Sequence, residues 1–149
     1  MSTLSWPDDK TLALSIVVNV EEGAEMSIAD GGTERLTLNP GHAFAGQFYL
    51  VLGSVGAPGA GFPVGPHFVP LDPSTAYITY TLTNPNPAPF TDSFGTIEPF
   101  GFANAVFNLG AGAVSANLAG TGLVHAFVTF DLTGEVTFAS NAAPLVLVP

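Results

Sequence analysis

The chain has 149 residues, enough for one domain that buries about 68–70% of its unfolded surface without a metal or disulfide. Its 12 acidic residues face only Lys10 and Arg35, a formal charge of −10, which argues against nucleic acid and anionic membrane surfaces as partners. Cysteine is absent, so no disulfide framework exists, and 17 Gly with 13 Pro leave only residues 8–22 as an uninterrupted window longer than 11, which disfavours helices of ordinary length.

Residues 11–20, TLALSIVVNV, set Leu12, Leu14, Ile16, Val18 and Val20 on one face and form the longest strand candidate. The joint Glu21-Glu22-Gly23 follows. Residues 25–30 and 33–38 flank Gly31-Gly32, a connection that tolerates positive φ and predicts a hairpin. Residues 46–54, GQFYLVLGS, read as a central strand with both faces packed. Residues 56–73 are rich in Gly and Pro, yet Phe62, Val64, Phe68, Val69 and Leu71 anchor them, so an ordered loop along one edge is expected.

Residues 77–82 alternate Ile78, Tyr80 and Leu82 against Tyr77, Thr79 and Thr81, which predicts a strand. Pro85, Pro87 and Pro89 keep residues 84–89 out of any ladder, because Pro lacks the amide donor. Two further strands fall at residues 93–97 and 100–109, and residues 113–118 have room for one helical turn. Residues 122–130 alternate with both faces apolar, residues 131–134 turn, and two last strands are separated by Ser140-Asn141. About nine or ten strands in a single domain predict an all-β, antiparallel β-sandwich of immunoglobulin-like or jelly-roll type.

Two stretches carry family resemblances. From about Met26 onward, ADGGTERLTLNPGHAFAGQFYLVLGS, FGTIEPFGFANAVFNL, GLVHAFVTFD and FASNAAPLVLVP resemble a C-terminal β-rich domain of secreted proteins of planctomycete-like bacteria. That likeness implies an extracellular module and brings no catalytic residue with it. Residues 6–15, WPDDKTLALS, continuing to Glu25, resemble the opening strand of the polysaccharide deacetylase family, in its allantoinase-like branch. The likeness implies a hydrolase on an α/β barrel of roughly 250 residues, whose later motifs have no room here. The metal-binding His pair of that family is missing from the matched stretch.

Few residues invite chemistry. His42, His67 and His125 supply three imidazoles, the number a zinc site with an open position requires, but none is paired at short range. His125 reads instead as a core or inter-strand histidine with its nitrogens bonded to backbone. Asp8, Asp9, Glu21, Glu22, Glu25 and Asp30 lack the spacing of a calcium loop and read as a solvated acidic edge. Thr129-Phe130-Asp131 is similar to a deacetylase active-site triplet, though Asp131 before Leu132-Thr133-Gly134 is placed to open a turn. No nucleophile elbow, phosphate loop or dinucleotide fingerprint occurs. Twelve of the 16 aromatics are Phe, which favours packing over a sugar platform.

No catalytic, cofactor or metal site is therefore expected. The start MSTLSWPDDK carries neither a basic n-region nor an apolar h-region, and no run reaches the 18 apolar residues of a membrane helix despite a mean hydropathy of +0.43. The absence of Lys and Arg from residue 36 to the end suits an extracellular or cell-surface setting, where many proteases cut at basic residues. The sequence thus predicts an extracellular structural or adhesive module that self-associates through residues 1–22, an exchangeable strand bearing Leu12, Leu14, Ile16, Val18 and Val20. The rival classes are a deacetylase-like enzyme fragment and a carbohydrate-binding module with a polysaccharide partner.

Overall fold

A computed structural model describes residues 24–59 and 61–149. The self-association candidates Leu12, Leu14, Ile16, Val18 and Val20, and the carboxylates of Asp8, Asp9, Glu21 and Glu22, lie outside the described residues. The elements run β1 (Ala24–Ser27), β2 (Gly32–Leu38), β3 (Phe48–Val55), β4 (Phe62–Val64), β5 (His67–Val69), α1 (Ala76–Thr83), β6 (Phe90–Thr91), β7 (Phe94–Thr96), β8 (Ala103–Leu109), β9 (Gly122–Phe130), β10 (Val136–Ala139) and β11 (Ala143–Val148). Short 3-10 turns at His42–Phe44 and Ala116–Leu118 complete the described elements.

The described fold is mainly β, but it is not a clear sandwich. A curled, mixed half-barrel sheet of six strands has the order β1-β11-β9-β3-β7, with β10 also beside β9. Two small sheets, β2-β8-β6 and β4-β5, accompany it. The expectation of an immunoglobulin-like or jelly-roll antiparallel sandwich needs this correction, because β1 and β11 pair in parallel from Ala24↔Leu145 to Ser27↔Val148. The physical reason lies in how the central strands are covered. Tyr49 and Val51 of β3 and Phe127 of β9 pack with Leu36, Leu38, Ala105, Phe107 and Leu109 of the β2-β8 pair. Leu50 and Leu52, with Val124, Ala126 and Val128, pack on the opposite side with Val69, Leu71 and Ile78. Both faces are buried, by two unequal covers, so the near-continuous apolar runs of β3 and β9 follow directly.

The expected hairpin across Gly31-Gly32 is also corrected. Gly31 turns the chain at φ +74, and its N–H bonds the Ser27 carbonyl at 3.0 Å. Yet β1 pairs with β11 and β2 pairs with β8, so the turn passes the chain from one sheet to another. The described residues of the 56–73 stretch, 56–59 and 61–73, are ordered as their apolar anchors predict. They fold around the β4-β5 hairpin and bury Val69 and Leu71 against a face of the main sheet, not along an edge.

The largest departure is residues 77–82, which form α1 where alternation predicts a strand. The same residues contain an i, i+3 pair, Ile78 and Thr81, and both are buried. Thr hydroxyls, otherwise better suited to strands, bond back along the helix: Thr81 Oγ1 to the Ile78 carbonyl at 3.1 Å, and Thr83 Oγ1 to the Thr79 carbonyl at 2.8 Å. Before the helix, Asp72 Oδ1 accepts the Ser74 N–H at 2.8 Å, and after it the Asn84 N–H bonds the Tyr80 carbonyl at 3.1 Å. Pro85 then prevents continuation.

The helix covers an edge that the strands leave open. β7 pairs with β3 only over Phe48–Leu50, and beyond it Thr81 Oγ1 accepts the Gly53 N–H at 3.1 Å. Gly53 also makes room for the Tyr77 ring, since a Cβ there would lie 2.3 Å from Tyr77 Cε1. Gly53→Ala should therefore cost about 1–3 kcal/mol, as overpacking does. Chemical unfolding of the variant checks this, and an unchanged stability would show that the helix shifts freely from the strand.

At the other end of the sequence, Ser140 interrupts the run between β10 and β11 without losing the partner strand. Its N–H donates to the Phe127 carbonyl, and its Oγ accepts the Phe127 N–H, both at 2.9 Å. The polar break expected at Ser140-Asn141 is thus a joint between two strands on one side of β9.

Candidate functional site

The most chemically distinctive place in the described residues is the buried pair His125 and Tyr77. β9 puts His125 opposite Gly53 of β3 and Ala143 of β11, with its neighbours Val124 and Ala126 directed to the opposite face. Strand alternation thus delivers the imidazole to the side covered by β8 and β6. Its ring lies 5.1 Å from that of Phe107, 5.2 Å from that of Phe90 and 5.9 Å from that of Tyr77. The side chain is only 1% exposed.

His125 Nε2 and Tyr77 Oη are 3.0 Å apart. Nδ1 is buried and has no hydrogen-bond partner among the described residues. Burial in this aromatic surround pushes the imidazole down to about 4 from its usual 6.5, so it is neutral at physiological pH. Burial, with a lesser contribution from Tyr80, pushes the Tyr77 phenol well above its usual value. The compatible arrangement is Tyr77 O–H donating to Nε2, with the proton of the ring on Nδ1. Among the described residues no third acid or nucleophile is hydrogen-bonded to either group. The pair acts as a clamp between α1 and the sheet.

The reading of His125 as a core histidine is right about its position. Its bond, however, goes to a side chain on α1 and not to backbone. Sequence reasoning missed Tyr77 because it lies 48 positions away, on a segment read as a strand.

The remaining candidates do not converge. His42 lies in a 3-10 turn, His67 on β5 and His125 on β9, and among the described residues no three His, Asp or Glu gather as a metal site. Asp131 opens a turn, as its setting predicts: its Oδ1 accepts the Thr133 N–H at 2.8 Å and the Glu135 N–H at 3.1 Å. The Thr133 hydroxyl, foremost, holds this carboxyl below the usual carboxylate range. Thr129 is buried and bonded to the Thr137 hydroxyl at 2.8 Å. The Thr129-Phe130-Asp131 triplet therefore has its polar groups engaged in a turn and a cross-strand bond.

No protein-family model, curated protein or solved structure matches this chain. Residue chemistry and fold accordingly carry the functional reading.

A shallow cavity of about 240 Å³ is lined by Val55, Gly56, Ala57, Gly59, Gly61, Asp72 and Pro73. Asp72 is its one ionisable group, and both the N–H and hydroxyl of Ser74 already bond that carboxylate and hold it below its usual range. Phe48, Phe94 and Phe130 form a cross-strand aromatic cluster, with near-parallel rings at centroid distances of 5.7–6.2 Å. All three rings are partly buried. The described residues contain one α-helix, of eight residues, and one parallel strand pair. The alternating strands and helices of an α/β barrel are not among them.

The sheet edges offer more. β1, at one end of the main sheet, is where the chain enters from residues 11–23. Among the described residues, β2 and β6 end the three-stranded sheet, and β7 ends the main sheet opposite β1. Among the described residues there is no lysine, the side chain most used to protect such edges.

Proposed function

We propose that this chain is an extracellular structural or adhesive β module that associates with copies of itself by strand pairing. Residues 11–20 are the exchanged segment, and Leu12, Leu14, Ile16, Val18 and Val20 are its apolar face. The observation that carries the reading is the set of sheet edges free of lysine, one of which, β1, directly continues from that segment. An added strand gains ladder hydrogen bonds along such an edge, and its alternate side chains supply apolar burial. The neutral His125–Tyr77 pair and the engaged carboxylates of Asp72 and Asp131 fit a structural role better than a catalytic one.

Electron microscopy of the full chain in negative stain tests this. Extended assemblies are expected for the unaltered protein. Ile16→Pro, which removes an amide donor and restricts φ in the middle of the segment, should abolish them while circular dichroism keeps its strand signal. Assemblies that persist unchanged in Ile16→Pro, or a protein that forms none at high concentration, would refute the proposal.

A further inference from the structure

We infer that Asn86 acts as a plug on the main sheet: its carboxamide holds the outward backbone groups of Phe94 and so closes the β7 edge to an added strand. The inference goes beyond the self-association reading and does not need it, because it concerns an edge that the fold withholds. Three observations carry it.

The first is the direction of the backbone groups in β7. The Ser93 carbonyl accepts the Val51 N–H of β3 at 2.7 Å, and the Ile97 N–H reaches the Gln47 carbonyl at 2.8 Å. Strand alternation therefore turns the backbone groups of Phe94 and Thr96 outward, away from β3. Since β7 spans only Phe94–Thr96, these two residues are all that the strand offers to a newcomer. Just before it, Phe90 and Thr91 already belong to β6 in the other sheet.

The second is what occupies Phe94. Asn86 Oδ1 accepts the Phe94 N–H at 3.0 Å, and Asn86 Nδ2 donates to the Phe94 carbonyl at 3.4 Å. A carboxamide carries the same donor and acceptor as a peptide group, so this one side chain makes the pair of bonds that a residue of a neighbouring strand would make. Residues 84–89 could not form a regular ladder with their backbone, because Pro85, Pro87 and Pro89 lack the amide donor.

The third is how firmly the plug is set. The Asn86 N–H donates to Ser93 Oγ at 2.9 Å, and Ser93 is buried. Asn86 takes φ +56, a left-handed conformation that Asn tolerates better than most residues, and the flanking prolines narrow the alternatives. On one side the Asn84 N–H bonds the Tyr80 carbonyl, and Tyr80 Oη donates to the Ala88 carbonyl at 2.7 Å. On the other the Asn108 N–H of β8 donates to the Pro89 carbonyl at 2.8 Å. Residues 84–89 thus form a strap between α1 and β8 that presents Asn86 to the strand.

α1 continues the same closure along β3, where Thr81 Oγ1 accepts the Gly53 N–H. Sheet edges are commonly protected by lysine, which is absent from the described residues. Here the side chains of Asn86 and Thr81 protect the edge by filling its hydrogen-bonding positions. Strand pairing with another molecule is directed away from this side of the main sheet.

Full-length Asn86→Gly is the direct test, because glycine accepts φ +56 without strain and only the carboxamide is lost. Amide hydrogen exchange and sedimentation velocity are measured on it, on the unaltered chain and on Asn117→Ala, a change in an exposed turn. The Phe94 N–H should exchange about three- to tenfold faster in Asn86→Gly, as expected for the loss of one hydrogen bond. The Val51 N–H, bonded to the Ser93 carbonyl, should keep its rate. At equal concentration Asn86→Gly should sediment as larger species than the unaltered chain, and Asn117→Ala should not.

An unchanged Phe94 rate would overturn the inference. So would faster exchange with unaltered sedimentation, since the edge would then be closed without Asn86. Should Asn86→Gly speed exchange at Val51 as much as at Phe94, the strand itself has loosened, and Ser93→Ala decides. That change frees the Asn86 N–H without altering the strap: larger species support the plug, and their absence overturns it. Each comparison is made with the unaltered chain, so it reads the same whether that chain assembles or stays monomeric. Only the sedimentation of the unaltered chain bears on the self-association reading.

Discussion

Between pH 6.5 and pH 4 the protein should lose stability steeply, and His125→Phe should remove that slope. The imidazole is neutral in the fold because burial pushes it from 6.5 to about 4. In the unfolded chain it takes up a proton as pH falls through 6.5, and the folded chain takes up that proton only near 4. The unfolded state therefore binds more protons within this window, so stability falls as pH falls. The full stability is present above pH 6.5, and the loss below pH 4 is on the order of 3 kcal/mol. Asp72 and Asp131 are only partly buried, and their depressed titrations act below the ordinary carboxylate range, outside this window. Urea unfolding at pH 7, 5.5 and 4 would measure the effect. A slope equally steep in His125→Phe would show that other groups carry it.

Replacing Tyr77 should separate the hydrogen bond from the packing of the same side chain. Tyr77→Phe keeps the ring over Gly53 but leaves Nε2 of a buried imidazole without its partner, a cost of about 1–3 kcal/mol. Tyr77→Ala also removes the ring from the junction of α1, β3 and β9, and a total of about 3–5 kcal/mol is expected from truncating a large aromatic. Equilibrium unfolding of the two variants gives both numbers. Equal losses would mean that the hydrogen bond dominates, whereas an unaffected Tyr77→Phe would mean that the clamp works through packing alone. Because α1 lies against the part of β3 that β7 leaves open, loosening it exposes a strand edge. Tyr77→Ala is therefore also expected to be prone to aggregation.

How much of this could be read beforehand follows from the range of the interactions involved. β3 and β9 were legible because strands buried on both faces write themselves as continuous apolar runs. The turn at Asp131 was legible because its bonds reach only two to four residues ahead. α1 was not, since Tyr77, Thr79 and Thr81 satisfy strand alternation while Ile78 and Thr81 also satisfy helical spacing. The choice between them is made by Gly53, whose N–H meets Thr81 and whose missing side chain admits Tyr77. The 11 residues between Pro73 and Pro85... the longest Gly- and Pro-free gap in the described residues, shared only with residues 123–133, are just enough for a helix of eight.

The layer arrangement was beyond alternation for a related reason. Period-2 patterns report that a strand has a buried face, but not which sheet supplies the cover. Residues 56–73 showed their anchors, Val69 and Leu71, without showing that the β4-β5 hairpin would lie on a face of the main sheet and so turn a two-layer expectation into a sheet with two partial covers. The candidate site divides in the same way. His125 could be recognised as a core histidine from its apolar neighbours, but its partner Tyr77 depends on a long-range contact.

Sedimentation velocity of the full-length chain over a wide concentration range addresses the self-association proposal most directly. Growth by an open, head-to-tail contact predicts a weight-average sedimentation coefficient that keeps rising with concentration and does not level off at the value of a dimer. A single boundary of monomer size at every concentration would contradict it.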